Sequence, residues 1–395
     1  MNFPDSTYWF VLAVLIPSFT LTWLGCFVLR HYASRWGLVD QPGYRKIHET
    51  PKPTSAGIAI AAGVLLPLLM GVCGAKLIVF LQQNSPHSPL LQTLPDMVKI
   101  HADGVLSQLP KLCELVGGGI VLILLGLADD LRGLDWRLRI GVETSVAFVL
   151  VLLGWRLALP LLFQTLPTPF FCVLQWGCSI FWIVGLINSF NMLDNMDGLS
   201  GGVAAIATAM LAMVLLGGSA ITGNEPQFFV AGMCLLLTGA LCGFLRHNRF
   251  PAKIFMGDTG AYFVGYLIAM LTISATFAGE NLPNHTIFAP LCVLAVPIYD
   301  TLSVVVIRIR NGKSPFEGDK NHYSHRLVRL GMSRVHAVRT IYLTTFCCGL
   351  GAMLLYEISL FGATIVLTMI VSMLSLIANI EFSAAKPRET PPHEP

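Results

Sequence analysis

The stretch WFVLAVLIPSFTLTWLGCFVL, Trp9–Leu29, runs for 21 residues without a charged side chain. Wound as an α-helix at ~1.5 Å per residue, it matches the ~30 Å hydrocarbon core of a bilayer. No basic segment precedes it, no small-residue cleavage site follows it, and it is longer than a signal-peptide core. It therefore reads as a retained membrane helix. Similar apolar runs follow at 56–80, 113–128, 139–160, 169–189, 199–219, 227–246, 259–279, 286–307, 338–356 and 359–380. With 8–29 they predict about eleven spans and an all-α polytopic membrane bundle.

Composition agrees with this reading. The 395 residues are 54% hydrophobic and only 12% charged, too little polar material to cover a soluble globule. One integral domain is expected over 1–385, followed by a Pro- and Glu-rich tail, 386–395, that reads as disordered. None of the ten cysteines forms a C-x-x-C pair, and Cys26, Cys234 and Cys242 lie inside apolar runs, as small core residues do. No internal repeat of the kind expected of an inverted-repeat transporter is visible.

The placement of charge is more informative than its sum. With the N-terminus outside, all but four of the 25 Lys and Arg fall on inner segments or helix ends, leaving Lys76, Lys99, Lys111 and Arg156 outside. That asymmetry predicts a cytoplasmic C-terminus. Residues 81–112 then form a polar outer loop with room for a short helix. Nothing in this charge pattern asks for nucleic acid.

The same orientation gathers the polar motifs on the inner, basic side. Asp129-Asp130 ends an apolar run, and adjacent carboxylates need a neutraliser; Mg²⁺, a positioned Lys, a general-base role and a solvated helix end paired with Arg132 all remain open. Asn188, Asn191, Asp194 and Asp197 recur every third residue before Gly198, an oxygen-only set that suits hard Mg²⁺ better than Zn²⁺, or else an N-cap and turn cluster. Gly257-Asp258-Thr259-Gly260 places one acid at the inner start of a helix, where it is a metal ligand or a plain cap. Arg45, Lys46 and His48 offer cations to phosphate or to anionic lipid, and His322, His325 and Arg326 do so in the most basic inner loop. Asp300 lies inside a span, where an acid costs about 2.5–3.5 kcal/mol, so it needs a partner or a wet cavity.

In this order, over roughly residues 37–330, the motifs resemble those of the polyprenyl-phosphate N-acetylhexosamine-1-phosphate transferases, glycosyltransferase family 4. R-K-x-H resembles Arg45 to His48, D-D resembles Asp129-Asp130, and N-x-x-N-x-x-D-G-x-D-G resembles Asn188 to Gly198. G-D-x-G-S, P-x-x-D-T and D-R-x-H-x-H-H resemble Gly257 to Ala261, Pro297 to Thr301 and Asp319 to His325. The chain departs from the pattern at Asn195 (for Gly), Ala261 (for Ser), Lys320 (for Arg) and Ser324 (for the middle His). The histidine loop resembles the GlcNAc-1-phosphate branch more than the muramoyl-pentapeptide branch with its three consecutive histidines.

The resemblance implies transfer of a sugar-1-phosphate from a UDP-sugar to undecaprenyl phosphate, with release of UMP, at a bacterial inner membrane and on its cytoplasmic face. It implies Mg²⁺, with Mn²⁺ as a substitute, on Asn191 and Asp258, and catalytic roles for Asp129, Asp130, Asp194 and His322. Lys46, His48, Asn188, Asp197, His325 and Arg326 would bind substrate. A homodimer is compatible with it. The muramoyl-pentapeptide phosphotransferase is the nearest rival. A transporter or flippase, using Asp300 and the carboxylate pair for a coupling ion, calls for ionisable groups spread through the membrane depth; here nearly all share one face.

Overall fold

The computed structural model of the chain describes residues 5–40, 51–159, 166–222, 227–275, 277, 282–316 and 318–384. Helices dominate it. In chain order they are α1 Asp5–Tyr32, α2 Ala56–Asn84, α3 Pro89–Thr93, α4 Asp96–Ser107, α5 Leu109–Arg132, α6 Trp136–Leu152, α7 Thr168–Leu193, α8 Leu199–Thr222, α9 Phe228–Asn248, α10 Gly257–Ser274, α11 Ala289–Val293, α12 Ala295–Arg310, α13 Tyr323–Arg329, α14 Arg334–Leu354 and α15 Leu360–Ala384.

Each of the eleven apolar segments is helical over most of its length. Among the described residues eight helices are long and apolar enough to cross a bilayer, or up to nine if α12 and the short helical stretch before it, bent by 66°, form one span. The other two segments fall short for physical reasons. α6 has 17 residues, and α10 opens on the polar Gly257-Asp258-Thr259. The polar segment 81–112 is more regular than its composition suggests. α2 runs on to Asn84, and α3 and α4 follow, with Leu91 and Ala102 buried against Ala75 and Ile78.

α10 is the axis around which the site is built. Every residue from Thr259 through Thr272 is buried, because α2, α5 and α7 pack around it. A helix apolar on all sides belongs in such an interior. Its start is fixed by a short strand pair, β1 (Val39–Asp40) antiparallel to β2 (Lys52–Pro53). From there the chain zips onto the segment before α10. The Phe255 N–H donates to Pro53 O at 2.7 Å, and the Gly57 N–H to Met256 O at 3.0 Å.

Candidate active site

Gly257 opens α10 at φ +70°, and helix-start amides need acceptors. They are supplied from another helix. Asp130, at the end of α5, accepts the Asp258 N–H at 2.8 Å on Oδ1, and the Thr259 N–H and hydroxyl at 3.1 and 2.7 Å on Oδ2. Close contact of backbones permits this. A Cβ on Gly126 of α5 would lie 2.4 Å from Thr259 Cα, and one on Gly57 of α2 would lie 2.3 Å from the Gly260 nitrogen. Only glycine fits at either place.

Asp129 turns to different partners. Its Oδ1 accepts the Leu134 N–H at 2.7 Å, and its Oδ2 accepts Arg139 Nη1 at 2.9 Å and the Tyr262 hydroxyl at 2.6 Å. Both members of the carboxylate pair are thus fully engaged inside the protein, Asp130 as a cap and Asp129 as the anchor of Arg139.

The two residues expected to hold metal meet, although 67 positions separate them. Asn191 Nδ2, near the end of α7, donates to Asp258 Oδ1 at 2.5 Å. This leaves Asn191 Oδ1 and Asp258 Oδ2 without a hydrogen bond among the described residues. One turn earlier, Asn188 Nδ2 donates to Glu143 Oε2 of α6 at 2.5 Å and to Val184 O at 2.9 Å. Beyond α7, Asp194 is half-buried; its N–H donates to Asn191 O at 3.2 Å, and its carboxylate has no hydrogen bond or ion pair among the described residues. Burial first, and then the like charges of Asp258, Asp130 and Asp197, push its carboxyl up to about 7. Asp197 is turned inward, accepting the Ala252 N–H at 2.9 Å. Gly198 follows at φ +77°; its N–H donates to Asn248 Oδ1 at 2.8 Å, and its carbonyl accepts the Tyr342 hydroxyl.

Among the described residues no three His, Cys, Asp or Glu side chains converge as a metal cage. The Asn191 amide and the Asp258 carboxylate that meet there each keep one hard oxygen without a hydrogen bond among the described residues. They fit Mg²⁺ or Mn²⁺, ions commonly bound through one or two carboxylates together with substrate phosphates and water.

A second cluster forms around the buried Asp300 of α12, 1% exposed, which has the partner its position demands. Its Oδ2 lies 2.9 Å from His322 Nδ1, and its Oδ1 accepts the Tyr323 N–H at 2.6 Å. A carboxylate can only accept, so His322 Nδ1 carries a proton and Nε2 is left for the site. The His325 ring sits 6.4 Å from that of His322. Burial, reinforced by His322, Lys320 and Arg329, pushes His325 down to about 4. Arg326 is committed elsewhere: Nε donates to Glu381 of α15 and Nη2 to Ser303, both at 2.8 Å, and Nη1 reaches Asn321 O.

The two clusters are joined. Thr301 Oγ1 donates to Ser189 Oγ, and Ser189 Oγ to Pro297 O, each at 2.8 Å. Ser324 Oγ donates to Asn195 Oδ1 at 2.6 Å, so two of the four departures from the resembled pattern touch each other. Arg45, Lys46 and His48 lie outside the described residues, as does the tail 386–395.

Sequence reading missed Glu143 and Tyr262 and took Arg139 only as a helix-end cation. A signal was available: Arg139 and Glu143 stand four apart, on one face of a mostly apolar helix, and charge inside a span needs a reason.

These features define a class first: an all-α polytopic membrane protein whose polar site is assembled from the ends of α5, α7 and α10 and the start of α13. The model of glycosyl transferase family 4 matches residues 112–276. A decaprenyl-phosphate N-acetylglucosaminephosphotransferase of Mycolicibacterium smegmatis is 31% identical over 86% of this chain and 79% of its own. A probable undecaprenyl-phosphate N-acetylglucosaminyl 1-phosphate transferase of Bacillus subtilis is 27% identical over 89% and 87%. The undecaprenyl-phosphate alpha-N-acetylglucosaminyl 1-phosphate transferase of Escherichia coli is 27% identical over 81% and 77%. The chain belongs to glycosyl transferase family 4.

Proposed function

We propose that the protein transfers GlcNAc-1-phosphate from UDP-GlcNAc to undecaprenyl phosphate, on the cytoplasmic face of a bacterial inner membrane and with eleven spans. The names of its relatives support the acceptor and the sugar. The observation that carries the site assignment is the Asn191–Asp258 contact beside Asp194, at the N-terminal end of α10. An acceptor-phosphate oxygen attacks the β-phosphorus of the donor; the bond from that phosphorus to the bridging oxygen breaks, and UMP leaves with the electron pair.

Asp258 and Asn191 would hold Mg²⁺, which would supply charge neutralisation for the donor diphosphate. A phosphate monoester has a second pKa of about 6 and is mostly dianionic at neutral pH, so little proton abstraction is required of the protein. Positioning dominates. Asp129 and Asp130 hold the start of α10, and thereby Asp258, in place. Asp194, whose carboxylate has no partner among the described residues, faces the substrates, and His322, when its ring carries both protons, donates Nε2–H to phosphate oxygen. Lys46, His48 and His325 supply further phosphate contacts, while Asn188 meets the donor nucleotide.

The test uses detergent-purified protein with undecaprenyl phosphate, Mg²⁺ and single UDP-sugars, following UMP release and lipid product by mass spectrometry beside an Asp258→Asn control. UMP and a lipid diphosphate-GlcNAc, formed from UDP-GlcNAc alone, are expected. Product only from a UDP-MurNAc-pentapeptide moves the protein to the other branch, and no lipid product from any donor with folded protein overturns the transferase reading.

A further inference from the structure

α6 carries a carboxylate that belongs to none of the motifs. Glu143 is completely buried, 0% exposed, and a charge placed there needs a reason. One oxygen, Oε2, accepts from Asn188 Nδ2 at 2.5 Å, while Oε1 has no hydrogen-bond partner among the described residues. Arg139, one turn earlier on the same helix face, lies within electrostatic reach, as do Asp129 and Asp258. Glu143 therefore sits beneath the carboxylate and amide groups of the site without being part of their contacts to one another.

Its effect falls on Asn188. The side-chain amide faces two acceptors, Glu143 Oε2 and Val184 O. Only an NH₂ group satisfies both, because a carbonyl oxygen turned that way would meet two oxygens and no proton. Asn188 Oδ1 is accordingly the atom turned away, and it accepts no hydrogen bond among the described residues. Without Glu143 one acceptor remains, and the amide is free to present its NH₂ instead.

We propose that Glu143 is a positioning residue: by holding Asn188 Nδ2, it obliges Asn188 to present a carbonyl oxygen to a hydrogen-bond donor on the nucleotide-sugar. The inference rests on the transferase reading and deepens it. Selection by such an acceptor is strong, because a bound ligand without the matching donor covers the oxygen and leaves it unpaired.

The variants Glu143→Leu, Glu143→Gln, Asn188→Ala and the Glu143→Leu/Asn188→Ala double are compared with wild type by KM and kcat for UDP-GlcNAc, UMP affinity by calorimetry, and melting in detergent. Glu143→Leu and Asn188→Ala are each expected to raise KM and weaken UMP binding about tenfold with a smaller change in kcat. The double variant should be no worse than either single one, and Glu143→Gln, whose amide oxygen still accepts from Asn188, should stay within about threefold of wild type. Multiplying single effects, an unchanged Glu143→Leu enzyme, or a Glu143→Gln enzyme as impaired as Glu143→Leu overturns the proposal. Should Glu143→Leu fail to fold, Glu143→Gln/Asn188→Asp decides. Its glutamine donates to the new carboxylate, whose other oxygen is still presented, so UMP affinity should recover relative to Asn188→Asp alone; no recovery overturns the proposal. A wild type that forms no lipid product from any donor fells the transferase reading, and the UMP series then decides the amide question by itself.

Discussion

Asp129 and Asp258 are both carboxylates at helix ends, yet their surroundings assign them different costs on substitution. Asp129 is enclosed by Leu134, Arg139 and Tyr262, so Asp129→Asn disturbs a buried contact. Asp258 keeps Oδ2 free of hydrogen bonds among the described residues, and Asp258→Asn replaces one of two hard donors. We expect Asp258→Asn to lower turnover on the order of 10²-fold, and more than Asp129→Asn does, with a higher Mg²⁺ requirement. Equal activity of Asp258→Asn and wild type across a Mg²⁺ titration would remove the metal assignment. His325 gives a pH prediction. Its imidazole is pushed from an ordinary 6.5 down to about 4, so between those values the unfolded chain binds the proton and the native one does not. Stability is then fully present above pH 6.5 and declines as pH falls toward 4. Melting temperatures of His325→Gln measured over this range should slope less than those of wild type. Such environments are invisible in a motif, which names both acids and says nothing of their neighbours.

At the scale of elements, the start of α10 is where three helices must agree. α5 contributes Asp130 as its cap, while α5 and α2 contribute Gly126 and Gly57 as the surfaces on which it rests. Losing a cap costs about 0.5–2 kcal/mol, so Asp130→Ala should lower the melting temperature measurably along with activity. Gly126→Ala tests the contact itself. The added methyl meets backbone 2.4 Å away, which cannot rotate aside, so α10 must shift and carry Asp258 from Asn191. Overpacking of this kind costs about 1–3 kcal/mol. Turnover should fall further than thermal stability, and scanning calorimetry beside UMP release separates the two. The acids of D-D and G-D were readable as motifs, but that one caps the helix carrying the other was not, because 128 residues separate Asp130 from Asp258 and no local pattern encodes that pairing.

For the whole molecule the orientation itself is open to measurement. In a cysteine-depleted background, Arg310→Cys and His87→Cys, both at exposed positions, should react with an impermeant maleimide from opposite faces of the membrane, Arg310→Cys from the cytoplasmic one. Labelling of both from one side overturns the assigned topology. Hydropathy alone determined that the chain is a helical membrane protein, since span length and apolar content are local properties of a segment. The motif set likewise pointed to the family. Which helices line the interior was decided only by tertiary structure. α8, α9 and α15 are about equally apolar, yet most residues in the apolar stretches of α8 and α9 are buried inside the protein and few of those in α15 are. Lipid tails are as apolar as a protein interior, so a sequence written for one suits the other. The same holds for the site. Sequence supplied its acids, amides and histidines, whereas packing chose which carboxylates are consumed by partners, paired Asp300 with His322, and set Glu143 behind Asn188, because those contacts join residues that only the folded bundle brings together.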